Sequence, residues 1–157
     1  MKVEESIIIN RSPDDVFAFL TVRNNDPVWM AAVIESEWLD PAARDTEAPM
    51  RVGRRGRMVM MNMGRRQEYV DEVTDYQPGR RITHRTVEGP IQLNTACLTE
   101  PAGDGCRATV VGETDNFIGG PFGKLANPIV ARLVSRGFRA DLATLKGLLE
   151  AEIRPNG

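Results

Sequence analysis

The sequence has few of the residues that covalent and metal chemistry require. Its 157 residues include two cysteines, without a CxxC pair, and a single histidine. This cysteine usage argues against a disulfide scaffold and a structural zinc site. One histidine would leave a metal centre to carboxylates, and none of these is suitably spaced. No Ser-His-Asp set and no phosphate-binding loop are evident either. We therefore expect no metal and no cofactor.

Long apolar runs are also missing. No stretch approaches the ~18 apolar residues that span a membrane. The start, MKVEESIIIN, lacks the basic stretch and apolar core of a signal peptide. The net charge of −2 gives no indication of nucleic-acid binding. By default, these absences predict a cytoplasmic protein with no nucleic-acid partner and no integral membrane segment. We expect a monomer or a homodimer.

The first forty residues contain one strand and two helix starts. SIIIN reads as a strand. Ser12 and Pro13 then form a cap-and-proline pattern that is typical of a helix start. Asp26-Pro27 opens a second short helical turn that carries Trp29.

The remainder predicts a sheet followed by a long helix. From Val33 to about Asn116 the apolar residues alternate, and turns at DPAARDTEAP, NMGR, YQPGR, VEGP and EPAGDG separate six strands. After Asn127-Pro128 an amphipathic helix of about 25 residues follows. Residues 1–157 thus predict a single α+β domain, in which a seven-stranded curved antiparallel sheet wraps a long C-terminal helix and two short helices separate strands 1 and 2.

This pattern resembles the START-like (SRPBCC) superfamily, specifically its polyketide cyclase/dehydrase-like branch, which has the helix-grip fold. The matching stretches are SIIINRSPDDVFAFL, YVDEVTDYQPGRRITHRT, LTEPAGDGCRATVVGE and ADLATLKGLLE. The resemblance covers nearly the whole chain. It implies a small hydrophobic ligand, such as a lipid or an aromatic polyketide. Because the superfamily also contains hormone receptors and chaperone activators, the fold alone does not decide the function.

The turn positions set the register of the strands. A hairpin at NMGR places Met58 opposite Tyr69 and Gly56 opposite Asp71. The face that turns towards the helix then collects Met58, Met60, Tyr69, Val73, Ile82, Leu93, Cys97 and Val110. The opposite face collects Arg55, Arg57, Glu68, Glu72 and Arg85, so that a solvated, ion-paired face explains the arginines better than an RNA or phosphate site. Cys97 and Cys106 lie too far apart along adjacent strands for a disulfide.

The stretch MVMMNMG, residues 58–64, holds four of the seven methionines. Met58 and Met60 point inward, whereas Met61 and Met63 lie outside or in the turn. Four side chains that do not converge cannot share one soft metal ion. Inward methionines indicate either an adaptable ligand-binding wall or ordinary filling of a packed core.

Polar residues on the inward face are the candidate catalytic groups. His84, with Asp71 as its diagonal neighbour, could form an Asp-oriented general base with a pKa near neutrality. The alternative is a core histidine with structural acids around it. Asp141 lies in the apolar stripe of the long helix, where it must find a partner or have a raised pKa.

The candidate ligand-binding set extends over the inward face, the helix and the expected mouth. We place the mouth between Trp29 and the segment NFIGGPFGK, although Trp29 could equally pack at a helix start. The set is Trp29, Met58, Met60, Tyr69, Thr86, Thr95, Cys97, Val110, Gly112, Thr114, Phe117, Phe122, Val134, Phe138 and Asp141.

Three classes of function fit these patterns. The first is a carrier or binding protein for a hydrophobic molecule. The second is a polyketide cyclase or dehydratase that needs no metal or cofactor, in which orientation of the ligand does most of the work and His84 with Asp71 moves protons. The third is a protein-interaction module of the chaperone-activator or toxin-like kind, which would use a surface instead of a cavity.

Overall fold

The computed structural model describes residues 1–40, 49–115 and 123–151. Within these ranges, a 3-10 turn at Arg23–Asn25 separates the first two helices. The strands are β1 (Lys2–Ile9), β2 (Val33–Trp38), β3 (Arg55–Asn62), β4 (Arg65–Gln77), β5 (Arg81–Glu88), β6 (Asn94–Ala102) and β7 (Gly105–Glu113), and the helices are α1 (Pro13–Thr21), α2 (Asp26–Trp29) and α3 (Gly123–Ala151).

The strands form one antiparallel sheet in the order β1-β7-β6-β5-β4-β3-β2. Every pair except β1 with β7 is a neighbour along the chain, and β1 closes onto β7. Register shifts in β2 and β4 interrupt the ladders. Such irregularities bend a strand and increase its twist. The curved sheet packs its concave face against α3, which confirms the predicted helix-grip fold.

The predicted register is confirmed. Met58 pairs with Tyr69, and Gly56 pairs with Asp71. The NMGR hairpin turns through Met63 and Gly64, with φ angles of 50° and 74°. Two consecutive positive φ angles define the tight turn that fits the twist of paired strands. Because side chains alternate along a strand, this turn fixes which residues of β3 and β4 face α3.

The predicted start of α1 is correct, whereas that of α3 is wrong. The Ser12 hydroxyl accepts a hydrogen bond from the Asp15 N–H at 3.1 Å. In contrast, α3 begins at Gly123, one turn before the predicted Asn127-Pro128 start. Asn127 therefore lies inside the helix, and its buried side-chain oxygen has no hydrogen-bond partner. Pro128 removes only one intrahelical bond near the helix end, so the helix tolerates it.

The burial of α3 changes along its length. In the C-terminal half of α3, Leu142, Leu145 and Leu149 are fully buried against Ile9 and Cys106, among others. Towards the start of the helix, the inward residues Val130, Val134 and Phe138 are only half-buried. The N-terminal half of α3 therefore packs less closely on the sheet.

The convex face of the sheet is covered by ion pairs, as predicted. Arg55 binds Glu72 at 3.1 Å, and Arg57 binds Glu68 at 2.8 Å and Glu35 at 3.0 Å. The arginine clusters of the sequence are thus largely neutralised by glutamates. Among the described helices, none is both long and apolar enough to cross a membrane.

Candidate functional site

The concave face carries side chains that are enclosed by protein and yet keep accessible surface. His84 and Cys97 are surrounded by protein on nearly every side, but each is only half-buried by accessible area. This combination arises when a side chain faces an internal space. Thr95, which pairs directly with His84, is half-buried as well. These side chains of the central strands are therefore candidates for contact with a ligand beneath α3.

The strand register brings most of the predicted site residues to this face. They are Met58, Met60, Tyr69, Asp71, His84, Thr86, Thr95, Cys97, Val110 and Gly112. From α3, the Phe138 ring lies over Gly112, where an added Cβ would come 3.0 Å from the ring. The space at Gly112 is therefore occupied by a phenylalanine ring. Val134 is half-buried one turn before Phe138.

A buried polar network forms one wall of the site. The Arg23 guanidinium donates two hydrogen bonds to the Asp71 carboxylate, at 2.7 and 2.5 Å. Its Nε–H donates to the Ser36 hydroxyl at 2.9 Å, and that hydroxyl donates to Asp26 at 2.7 Å. The side chains of Arg23 and Asp71 are 6% and 13% exposed. This network ties the 3-10 turn after α1 to strands β2 and β4.

The protonation state of His84 follows from this network and from burial of the imidazole ring. Burial lowers the pKa of His84 to about 3, and the charge of Arg23 contributes to this decrease. The imidazole ring lies 6.3 Å from the Trp38 ring, over which Arg23 also lies at 4.9 Å. Burial raises the pKa of the Cys97 thiol to about 12, assisted by the nearby Asp26. Both groups are therefore uncharged at neutral pH.

The expected pairing of Asp71 with His84 is not formed. Both Asp71 oxygens accept hydrogen bonds from Arg23, which engages the whole carboxylate. A pKa of about 3 also places His84 far from the neutral range in which a histidine is an efficient general base. The structural reason is that the short turn after α1 inserts a guanidinium against β4, which strand periodicity could not indicate.

Several predicted ligand-binding residues have partners within the protein. The Tyr69 hydroxyl donates to Gln67 at 3.1 Å, and the Thr86 hydroxyl accepts from the Leu93 N–H at 3.3 Å. Thr114 is buried where its backbone bonds to Met1. Asp141 accepts a hydrogen bond from the Ala31 N–H at 3.0 Å, and burial raises its pKa. The sequence therefore predicted correctly that Asp141 needs a partner.

Trp29 is not at a mouth. The side chain is 3% exposed and belongs to the packed cluster beneath α3. Its indole N–H is buried without a hydrogen bond of normal geometry, although it lies near enough to Asp26 to lower the pKa of that carboxyl slightly. Trp29 is thus part of the packed interior. Phe117 and Phe122, the other predicted mouth residues, lie outside the described residues.

Sequence reasoning missed the polar network itself. Strand alternation in β2 places Ser36 and Trp38 on the concave face, and this signal was available. Asp26 reads only as a helix start in the sequence. Arg23 lies in a 3-10 turn with no hydrophobic period. Its partner Asp71 was the one visible sign, because an acid on an inward strand face needs a cation.

The pKa of Asp26 predicts a pH-dependent effect on stability. Burial raises this pKa to about 6, against the opposing effects of Ser36 and Arg23. In the unfolded chain the pKa is about 3.9, so the native state favours the protonated carboxyl. This contribution to stability is complete below about pH 4 and is lost as the pH rises through about 6.

Asparagine at position 26 should remove this pH dependence, because an amide stays neutral and can still accept from Ser36. We expect Asp26→Asn to match the wild type near pH 4 and to exceed its free energy of unfolding by on the order of 3 kcal/mol above pH 7. Urea denaturation of both proteins across this range measures the difference. A difference that does not change with pH would contradict the assignment.

Metal binding has no support in the described ranges, where no three His, Cys, Asp or Glu side chains are grouped so that they could hold an ion. The polar network is instead satisfied by its own hydrogen bonds. Beside this network, the concave face therefore offers hydrogen bonding by the uncharged His84 next to an apolar surface.

Solved structures with this fold include several bacterial proteins. TTHA0849 from Thermus thermophilus has a TM-score of 0.76 at 19% identity, and the match covers 98% of this chain and 100% of that protein. The Zhui aromatase/cyclase from Streptomyces sp. R1128 has a TM-score of 0.76 at 18% identity, covering 100% and 98%. A START superfamily protein from Mycobacterium smegmatis has a TM-score of 0.73 at 15% identity, covering 96% and 98%. At these identities the similarity shows the fold alone.

The family comparison covers almost the full sequence. A comparison with curated proteins found no match. The model of the family described as "Polyketide cyclase / dehydrase and lipid transport" matches residues 1–150. The chain therefore belongs to the polyketide cyclase/dehydrase and lipid transport family.

Proposed function

We propose that the concave face of the sheet and α3 enclose a hollow, and that the protein binds one small, mostly apolar molecule there. The observation that carries this proposal concerns His84 and Cys97. Protein surrounds both side chains on nearly every side, and yet each keeps accessible surface. The half-buried Met58, Met60 and Val110 extend the same wall with adaptable apolar groups. Cyclisation of polyketides and transport of lipids, which the family description names, both require such a site.

Binding is better supported than acid-base catalysis by His84 and Asp71. A histidine with a pKa of about 3 is a weak base, and proton transfer is most efficient when the pKa is close to the working pH. Asp71 is held by Arg23, and the Cys97 thiol is fully protonated at neutral pH. These features fit a fixed wall whose charged groups pair with one another.

A cyclase is the second candidate function, and the surroundings of the Asp26 carboxyl favour it. Its pKa of about 6 is suited to proton transfer near neutrality. Its carboxyl accepts one hydrogen bond, from Ser36, and lies near the half-buried Cys97. If the protein cyclises an aromatic polyketide precursor, Asp26→Asn should abolish turnover of that precursor and leave its binding intact. Equal turnover by both proteins would exclude this role.

Ligand binding can be tested with a substitution that fills the hollow. Thr95→Phe adds a ring to the concave face beside His84, whereas Asn94→Phe adds the same ring to the exposed convex face one residue earlier. We expect the neutral fluorophore N-phenyl-1-naphthylamine to bind the wild type and Asn94→Phe equally, and Thr95→Phe at least about tenfold more weakly. Circular dichroism checks that both variants are folded. Equal binding by Thr95→Phe would contradict an internal site.

A further inference from the structure

We propose, on the basis of this proposed function, that the hollow selects uncharged ligands that carry a hydroxyl or carbonyl group and discriminates against carboxylates. Arg23 is the cation next to the hollow, and a carboxylate ligand would need its charge. Three of its N–H groups are already committed, two to Asp71 and one to Ser36. The two remaining N–H groups are on the same nitrogens that bind Asp71, so an anionic ligand could use them only beside the Asp71 carboxylate, which would repel it.

The next buried cation, Arg54, is also hydrogen-bonded to a carboxylate of the protein. Arg54 donates two hydrogen bonds to Asp40, at 3.0 and 3.4 Å, and lies over the Trp38 ring. Asp26 adds a further carboxyl to this wall, and Asp141 lies near α2. Within the part of the chain that the structure describes, carboxyl groups of the interior therefore outnumber the guanidinium groups. A ligand carboxylate would enter without a free counter-charge.

Desolvation acts in the same direction. The interior keeps His84 uncharged at neutral pH chiefly because burial disfavours the imidazolium ion. A ligand charge placed at the same depth loses its hydration in the same surroundings, whatever its sign. The Arg23 charge would partly favour an anion there, but Asp71 already neutralises it through two direct hydrogen bonds. Uncharged ligands avoid this cost.

Uncharged polar groups, in contrast, find partners at this wall. The ring nitrogens of His84 make no hydrogen bond to the described residues, so the neutral imidazole offers one donor and one acceptor. A phenol, an alcohol or a ketone on an apolar skeleton matches these groups, and such a ligand class is compatible with an aromatic polyketide and with a sterol-like lipid.

Two naphthalenes that differ only in their polar group test this inference. At pH 7, 2-naphthol is uncharged, whereas 2-naphthoate carries a carboxylate. Their affinities are measured by displacement of N-phenyl-1-naphthylamine from the wild-type protein. We expect 2-naphthol to bind at least about tenfold more tightly. Equal affinities, or tighter binding of 2-naphthoate, would overturn the inference.

Asp71→Asn should reverse the discrimination, because it frees the Arg23 charge while keeping the shape of the side chain. We expect the affinity of 2-naphthoate to rise at least about tenfold in this variant and that of 2-naphthol to stay within about twofold. Glu72→Gln is the matched control, since it removes a carboxylate from the next residue of β4 on the convex face. Its affinities should equal those of the wild type.

The outcomes separate the inference from the function on which it rests. If a folded Asp71→Asn protein gains no affinity for 2-naphthoate, Arg23 is not the group that decides selectivity, and the inference fails. If Asp71→Asn does not fold, the wild-type comparison decides alone. If the wild type binds neither naphthalene nor N-phenyl-1-naphthylamine, the proposed function fails first.

Discussion

Truncation of Asp71 to alanine is expected to lower the free energy of unfolding by about 3–5 kcal/mol. The reason is that Arg23, with a side chain that is 6% exposed, would lose both of its carboxylate hydrogen bonds and remain buried as an unpaired cation. An uncompensated buried charge costs far more than the net contribution of the pair itself. Urea denaturation at pH 7 measures the change.

Two further variants show whether the loss comes from the unpaired charge. Glu72→Ala breaks the exposed ion pair with Arg55 in the same strand pair and should cost less than about 1 kcal/mol. The double variant Arg23→Met, Asp71→Leu removes both charges and should recover most of the stability that Asp71→Ala loses. A cost below about 1 kcal/mol for Asp71→Ala would contradict the assignment of Arg23 as a buried cation that depends on Asp71.

Substitution of Gly56 by alanine is expected to cost about 2–3 kcal/mol or more. An added Cβ would overlap with Nη1 and Cζ of Arg23. The guanidinium cannot move aside without giving up its hydrogen bonds to Asp71 and Ser36. Glycine is therefore required at position 56 because the Arg23 guanidinium lies directly on the backbone of β3. Urea denaturation of the variant and the wild type measures the cost.

The matched control for Gly56 is a glycine without neighbours. An added Cβ at Gly137 in α3 meets nothing within 4 Å, so Gly137→Ala should stabilise the protein by up to about 1 kcal/mol. In the Arg23→Met, Asp71→Leu background the Gly56→Ala cost should shrink, because a flexible side chain replaces the fixed guanidinium. If the cost stayed the same in that background, the effect of Gly56→Ala would arise within β3 and not from contact with Arg23.

The sequence predicted the faces of the sheet well because two strong local signals agree. The NMGR turn fixes one hairpin, and strict alternation then assigns Met58 and Tyr69 to one side and Arg57 and Glu68 to the other. A shift by one residue would place the arginine side chains against α3, so only one register keeps these charges in solvent.

The polar wall could not be predicted in the same way. Arg23 and Asp71 are 48 positions apart, and Arg23 belongs to a turn whose direction depends on how α1 packs. No periodic signal connects two such residues. The start of α3 was missed for a related reason, since Asn127-Pro128 has the composition of a helix start but lies within the helix. Local patterns establish elements and faces, whereas charge partners across elements require the folded chain.

The measurement that tests the central claim most directly uses the methionines as reporters. Met58 and Met60 lie on the concave face, whereas Met61 and Met63 are exposed, in the same short stretch of chain. In protein labelled with ¹³C at the methionine methyl groups, NMR during titration with N-phenyl-1-naphthylamine should show saturable shifts of the Met58 and Met60 methyl signals and none of the Met61 and Met63 signals. Shifts confined to the exposed pair, or no shift at saturating probe, would contradict a ligand site beneath α3.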